Sequence, residues 1–357
     1  MAKNWTVMVF MGANNIKGEK DLTSEADADV KEMESVGSGN LLDIVVQIDR
    51  PTGPERFYIE PGGGRKSFLL SAGSGSSGDG AVLREFLAWA QDAYPAEHYL
   101  LVIWGHAYRL AFGRDERDAM EFPKLARVLE QVHKVDVVGF DACGMSILEG
   151  AYQLRQRVDF LVASQVNVPL PGWPYDLILD PVAKDPDMDA KDLGALIVRR
   201  FVRNYREDSV TMTMLDLRFA PDMRLAVSRL ADELVGAFRA DQSEVDRVAS
   251  IFQQCHVLEG QLAVDLATFC WYLSNYSGHE GVKRTAQVLG DLLINPEKPF
   301  VLEHGRSNLS VAMLQGVSIF APNVEETAAD DELRGRYEDL DLAKESRWGE
   351  VVFGLQS

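Results

Sequence analysis

Two short apolar segments, each followed by a side chain capable of catalysis, constrain the fold of this chain most strongly. Residues 99–104 lead through one glycine to His106, and residues 135–140 lead to Cys143. Short apolar segments between helix-like segments are typical of buried parallel strands. Open parallel sheets carry their chemistry at the carboxyl ends of such strands. If the two strands are neighbours, His106 and Cys143 face one crevice.

A thiol beside an imidazole is the arrangement of a cysteine nucleophile with its base, because the imidazole raises the thiolate fraction and later protonates the leaving group. Cys255 and Cys270 lie in helix-like segments and follow no strand. His304 also precedes a glycine, but it comes after the cysteine and lacks a clean strand before it. Taken singly, a cysteine or histidine near a strand end is usually structural.

Strand-like and helix-like segments alternate along the first half of the chain. This alternation predicts an α/β fold with a mostly parallel sheet sandwiched between helices. Residues 56–60 and 66–70 are predicted to form a hairpin, and Asp79 is predicted to cap a helix at 80–93. The predicted strands are 5–12, 41–49, 99–104, 135–140 and 159–163, and the other predicted helices are 19–35, 122–132 and 145–156.

The last part of the chain is predicted to be mainly helical. Strand-like segments at 210–216 and 315–320 are expected to join the same sheet. We therefore expect one catalytic domain, with a core at residues 1–190 and a helical C-terminal extension at 191–357.

Composition limits the partners and the compartment. Lys and Arg number 36 against 55 Asp and Glu, a formal charge of −19, which disfavours nucleic acid and anionic membranes and weakly favours a basic peptide. Three widely spaced cysteines argue against disulfides and a zinc site. No charged and apolar leader precedes the first strand, and no apolar segment approaches membrane-spanning length, so a cytoplasmic protein is predicted.

Around the histidine and the cysteine, the sequence resembles a known family. The segments are Tyr-Pro-Ala-Glu-His-Tyr at 94–99, Leu-Val-Ile-Trp-Gly-His at 101–106 and Gly-Phe-Asp-Ala-Cys-Gly-Met at 139–145. They resemble the clostripain family of cysteine peptidases, relatives of caspases and gingipains. Flanking segments agree, and the resemblance is dense over residues 4–183. It implies a caspase-like fold and a peptide or protein substrate.

The resemblance also implies roles for single residues. His106 is the general base and Cys143 the nucleophile of a Cys-His dyad. We expect the backbone N–H groups of Ala107 and Cys143 to hold the oxyanion. Asp141, two residues before the nucleophile, corresponds to the acid of the primary pocket, which in the family accepts Arg or sometimes Lys. An equally weighted alternative is that Asp141 caps the helix predicted near residue 145.

Substrate contacts are also expected from the segments that follow the cysteine. The resemblance places Ser164, Gln165 and Trp173 among the substrate-binding residues. The loop at 107–120 contains Arg109, Arg114 and Arg117, which are either self-cleavage points or solvated charges.

Several positions depart from the family pattern. Ala107 and Gly144 replace the usual glycine and bulky residue, and the segment 166–171 carries no acid. Because alanine resists torsions that glycine allows, the oxyanion amide is expected to be misplaced. Two alternatives therefore stay open, a weak or inactive pseudopeptidase that binds a partner through the cleft, and an amidase or transpeptidase that uses the same acyl-enzyme.

No cofactor or metal site is predicted from the residues. Calcium is implied by the resemblance alone, because no segment has the spacing of an EF-hand loop. The oligomeric state is left open.

Overall fold

A nine-stranded mixed sheet forms the centre of the protein, and helices cover both of its faces. The computed structural model describes residues 2–14, 20–68, 70, 76–108, 110–113, 118–258, 261–297, 299–322 and 331–354. Arg109, Arg114 and Arg117, the predicted self-cleavage points, lie outside the described residues.

The strands, numbered in chain order, are β1 (Lys3–Gly12), β2 (Leu42–Asp49), β3 (Glu55–Ile59), β4 (Arg65–Phe68), β5 (Ala96–Gly105), β6 (Ala107–Tyr108), β7 (Ala111–Phe112), β8 (Met120–Glu121), β9 (Val135–Asp141), β10 (Val158–Ala163), β11 (Thr211–Asp216), β12 (His256–Leu258), β13 (Gln261–Asp265), β14 (Val301–Arg306) and β15 (Ser318–Phe320). The order across the main sheet is β14-β11-β10-β9-β5-β1-β2-β3-β4. Its five central strands pair in parallel, and the strands at both edges pair antiparallel. The predicted mostly parallel sheet is confirmed.

The helices are α1 (Thr23–Val36), α2 (Gly80–Ala93), α3 (Phe122–Leu129), α4 (Leu148–Leu154), α5 (Tyr175–Val182), α6 (Ala190–Asn204), α7 (Ala220–Ala240), α8 (Gln242–Cys255), α9 (Leu266–Tyr276), α10 (Glu280–Leu293), α11 (Asp331–Glu338), α12 (Asp341–Lys344) and α13 (Trp348–Gly354). Helices α1, α5 and α6 pack on one face of the sheet, and α2, α3, α4 and α7 to α13 on the other. As predicted, Asp79 caps α2, and its carboxylate accepts a hydrogen bond from the Ala81 N–H.

The C-terminal part of the chain contributes to the same sheet. The strand predicted at 210–216 is present as β11, and β14 extends the sheet beyond it. The prediction that residues 315–320 join this sheet is wrong, because β15 pairs with β13 in a separate small sheet. The Ser318 N–H donates to the Ser146 carbonyl, 2.9 Å away, which holds β15 against the turn that follows the cysteine. None of the helices in the described ranges is long and apolar enough to cross a bilayer.

Glu149, at the start of α4, is an ionisable residue within the hydrophobic core. Its side chain is fully buried, and its Oε1 accepts a hydrogen bond from the Phe320 N–H at 3.0 Å. Burial raises the pKa of this carboxyl to about 7, because the charged form loses its hydration. The folded protein therefore binds this proton more tightly than the unfolded chain does.

We expect the wild-type free energy of unfolding to fall as the pH rises from the unfolded pKa of Glu149 towards about 7. Glu149→Gln removes this titration, so its stability relative to wild type should increase by about 2 to 3 kcal/mol between pH 5 and pH 8. Urea denaturation at both pH values measures the difference, with Glu338→Gln on the exposed face of α11 as the control. Equal changes in both variants would show that Glu149 keeps an ordinary pKa.

Candidate active site

The candidate base and nucleophile follow two neighbouring strands. Strands β5 and β9 pair in parallel, and their last pair in register is Trp104 with Asp141. His106 and Cys143 each lie two residues beyond that pair. The predicted adjacency of the two strand ends is therefore confirmed, and both side chains start from the same level at the carboxyl edge of the sheet.

The backbone at the end of β5 requires glycine. Gly105 has a φ of +135°, and a Cβ there would stand 2.8 Å from the carbonyl oxygen of Gly12 in β1. The next residue, His106, has its Nε2 3.1 Å from the Lys20 carbonyl oxygen. Since a carbonyl only accepts, this bond assigns the proton to Nε2 and leaves Nδ1 as the acceptor of the ring.

The residue after the histidine is not strained. Ala107 belongs to β6, which forms a tight hairpin with β7, and the Gly113 N–H donates to the His106 carbonyl at 3.3 Å. Among the described residues, Leu110 is the one non-glycine residue with a positive φ, 65°. Alanine therefore fits at position 107 without conformational cost, and the expected misplacement of its amide has no support from the backbone.

The thiol of Cys143 is half-buried and accepts a hydrogen bond from the Val168 N–H at 3.3 Å. Burial raises its pKa, while the Val168 bond lowers it and the charge of Asp141 raises it. Within the described part of the chain, the side chains of His106 and Cys143 do not bond to each other. Each of them bonds to a backbone group instead. The hydrogen bond that would increase the thiolate fraction is thus absent from this resting arrangement, and burial favours the neutral thiol.

Residues 166–172, called here the covering loop, lie over the nucleophile. The Gly144 N–H donates to the Val166 carbonyl at 3.1 Å, and Gly144 has a φ of +67° that favours glycine. The Tyr205 hydroxyl holds the far end of the loop by donating to the Gly172 carbonyl at 2.7 Å. Glycine at position 144 therefore follows from the local backbone.

Asp141, the last residue of β9, is buried below the nucleophile. Its Oδ2 accepts hydrogen bonds from the Trp173 N–H at 2.9 Å and the Tyr175 hydroxyl at 3.1 Å. Its Oδ1 is buried and has no partner among the described residues. The capping alternative is wrong, because α4 begins at Leu148 and no side chain caps it.

Two further acids from α1 accompany Asp141, and the sequence analysis missed both. Asp29 accepts a hydrogen bond from Trp104 Nε1 at 2.6 Å, and Glu32 accepts one from the Tyr175 N–H at 2.9 Å. Burial raises the pKa of Asp29, and the charge of Asp141 raises it further. Burial also raises the pKa of Asp141. The signal was present in the sequence, because Asp29 falls on the apolar face of α1 with Ala26 and Met33.

Ser164 and Gln165 are fully buried behind the covering loop. Gln165 Nε2 donates to Asp265 Oδ2 at 2.9 Å and to the Ser318 hydroxyl at 3.0 Å, and its Oε1 accepts from the Gly316 N–H at 2.7 Å. These bonds join the loop to the C-terminal part of the chain. A direct contact of Ser164 or Gln165 with substrate stays a prediction.

Trp173 is also fully buried. Its ring packs on Gly139 of β9, where a Cβ would lie 2.4 Å from the ring. The hydrogen bond from the backbone N–H of Trp173 to Asp141 helps to position Asp141. A contact of Trp173 with substrate stays a prediction. No group of three or more His, Cys, Asp or Glu side chains suited to a metal ion occurs among the described residues.

The model of the clostripain family matches residues 9–353. The chain belongs to the clostripain family. Clostripain from Hathewaya histolytica is 27% identical over a match of 221 residues that covers 48% of this chain and 41% of that protein, so the chain spans about two fifths of that relative.

Two solved structures share the fold of this family member. One is an inactive zymogen C11 protease from Parabacteroides distasonis, with a TM-score of 0.71 and 19% identity over 97% of this chain and 98% of that one. The other is a secreted C11 cysteine protease from Bacteroides thetaiotaomicron in complex with an irreversible peptide inhibitor, with a TM-score of 0.71 and 17% identity over 97% of this chain and 99% of that one. The predicted caspase-like α/β architecture thus agrees with the architecture of this family.

Because burial raises the pKa of Cys143, we expect iodoacetamide to alkylate the resting protein slowly at pH 7 and faster as the pH rises past 9. Mass spectrometry of the modified peptide measures the rate. Cys143→Ala corrects for Cys255 and Cys270, two buried thiols whose pKa burial also raises. A rate that is already maximal near pH 7 would contradict the neutral resting thiol.

Proposed function

We propose that this member of the clostripain family is a cysteine endopeptidase that cleaves after a basic residue through Cys143 and His106. The observation that carries the proposal is the register of β5 and β9, which starts both side chains from one level of the sheet edge. Parallel strands lie about 4.8 Å apart, a separation that side chains of this size can bridge.

In the proposed reaction, Cys143 Sγ attacks the scissile carbonyl carbon and His106 takes the thiol proton. The Lys20 carbonyl favours the tautomer whose Nδ1 can accept that proton. The imidazolium then protonates the leaving amine, and water hydrolyses the thioester. Backbone N–H groups at Ala107 and Cys143 are the proposed oxyanion donors, whereas the Gly144 N–H already bonds to Val166.

The resting arrangement must change before this reaction. The Val168 N–H bonds to the sulfur, and burial keeps the thiol protonated. Displacement of the covering loop by a peptide frees the sulfur for His106. Because the Val168 bond itself favours the thiolate, it is the new contact with His106 that makes thiolate formation a consequence of binding.

Preference for a basic residue rests on Asp141. Its Oδ1 is buried without a partner in the described part of the chain, and a buried unpaired carboxylate oxygen is costly unless a ligand satisfies it. A guanidinium suits this position because it offers several donors and a permanent charge.

A second candidate function is that of a pseudopeptidase that binds a partner through the cleft. The separate backbone bonds of His106 and Cys143 favour it. The unstrained Ala107 removes one of the reasons for it. Transfer to an added amine distinguishes a transpeptidase from a hydrolase, and activity in the presence of a calcium chelator tests the calcium implied by the family.

Cys143→Ala and His106→Ala are each expected to abolish cleavage of fluorogenic peptides, because attack needs both the thiolate and its base. Cys255→Ala should retain activity, since this buried cysteine lies in α8, away from the strand ends. Circular dichroism checks that all three variants fold. Full turnover by Cys143→Ala would overturn the assignment, and an inactive wild type that still binds peptide would favour the pseudopeptidase.

Asp141→Asn should lower kcat/KM for an arginine substrate by about 30-fold, or about 2 kcal/mol, more than for the same peptide with citrulline, because citrulline is the uncharged counterpart of arginine. The asparagine oxygen can still accept the bonds from Trp173 and Tyr175. Equal losses on both substrates would remove Asp141 from the primary pocket.

A further inference from the structure

Asp29 is a buried carboxyl on the face of α1 that packs on the sheet. Its side chain is 1% exposed, and its Oδ2 accepts the hydrogen bond from Trp104 Nε1. Trp104 is the residue of β5 paired in register with Asp141. The bond therefore holds Asp29 at the level of the candidate pocket, two residues below His106.

The carboxylates of Asp29 and Asp141 converge on one point of the covering loop. A Cβ built on Gly172 would stand 2.8 Å from Asp141 Oδ2 and 3.1 Å from Asp29 Oδ2. Gly172 has a φ of +67°. A side chain at this position would collide with both acids. The loop therefore needs glycine here, where its backbone lies directly against the two carboxyls.

Among the described residues, neither Asp29 nor Asp141 forms an ion pair, and their hydrogen-bond donors are Trp104, Trp173 and Tyr175. The arginines that pair with acids of α1 bind Asp27 and Glu34 instead. Two carboxyls buried together without a cation resist simultaneous ionisation. At rest the pair therefore favours one shared proton, and a cation that enters the site would stabilise its fully ionised form.

Other titratable groups face the pair from each element packed against it. Glu25 and Glu32 of α1 act on Asp29 with the same sign as Asp141. The Tyr175 hydroxyl of α5 donates to Asp141, the hydroxyl of Tyr205, the residue after α6, donates to the Gly172 carbonyl, and burial raises the pKa of both tyrosines. All of these neighbours are acidic or neutral, so the field at the pair is negative whenever either carboxyl ionises.

We propose that Asp29 is a second acid of the primary pocket and that it acts with Asp141 on a cationic side chain of the substrate. The inference rests on the proposed function and deepens it. It accounts for the acid-free segment at 166–171, because the second carboxylate comes from α1, on the other side of the covering loop.

Binding then includes a proton step. A guanidinium enters with its own charge, one carboxyl of the pair releases its proton to water, and two carboxylates face one cation. No covalent bond of the substrate changes in this step. Selectivity for a cation therefore increases as the pH rises through the range in which the pair holds its proton.

The first experiment compares Asp29→Asn with Asp27→Asn on matched arginine and citrulline peptides. Asp27 is the control because it is an aspartate of the same helix, half-exposed and paired with Arg50. Asp29→Asn is expected to lower the arginine-to-citrulline ratio of kcat/KM by about tenfold, mainly through KM for the arginine peptide. Asp27→Asn should leave the ratio within about twofold of wild type.

An unchanged ratio in folded Asp29→Asn would overturn the inference and return Asp29 to the role of acceptor for Trp104. A wild type that does not prefer arginine over citrulline would instead contradict the proposed function. The two failures are therefore distinguishable.

Melting at pH 8 should show no loss of Tm in Asp29→Asn, because burial already disfavours the charge that the amide replaces.

Calorimetry of benzamidine binding to the Cys143→Ala protein tests the pair without turnover and without a change at Asp29. Titration at pH 6.5 in two buffers of different ionisation enthalpy should show release of about one proton per benzamidine bound, with benzamide as the neutral control. Binding of benzamidine without proton release would contradict a shared proton. Equal binding of benzamide and benzamidine would contradict a cation pocket altogether.

Discussion

The parallel pairing of β5 with β9 is the constraint on which the rest of the site depends. A hydrogen-bonded ladder fixes the offset between two strands to a single residue, because a slip would turn every side chain to the other face of the sheet. Here the ladder matches Trp104 with Asp141. That one match sets His106 level with Cys143, places Asp141 beneath them, and carries Trp104 to the position where it holds Asp29.

In the resting site, carboxyls are buried close together, and the covering loop lies over the thiol. Carboxyls that form no ion pair within the described ranges lie below a thiol whose charge is also disfavoured by burial. The covering loop seals both and bonds to the sulfur through Val168. Under the proposed function, a basic peptide supplies a cation to the acids and displaces the loop that lies over the thiol, so recognition and activation share one movement.

Much of this arrangement was predictable from local pattern. The apolar segments before His106 and Cys143 identified the two strands, and Asp79 identified the start of α2. What local pattern did not predict depends on contacts between distant segments. Asp29 is held beside Asp141 by its bond to Trp104, 75 residues away, and β15 pairs with β13 in a separate sheet while Ser318 bonds to the turn after Cys143. The concern over Ala107 came from a family pattern, whereas the backbone torsion decides it.

Hydrogen bonds to residues much later in the sequence hold the turn that carries the nucleophile. The Ser146 hydroxyl donates to the Gly316 carbonyl at 2.6 Å, and the bonds of Gln165 join the same segment to Asp265. These bracing residues are synthesised long after the turn, since Gly316 lies 170 residues beyond Ser146. Until those later segments have folded against it, the turn that carries Cys143 lacks the hydrogen bonds that hold it in place.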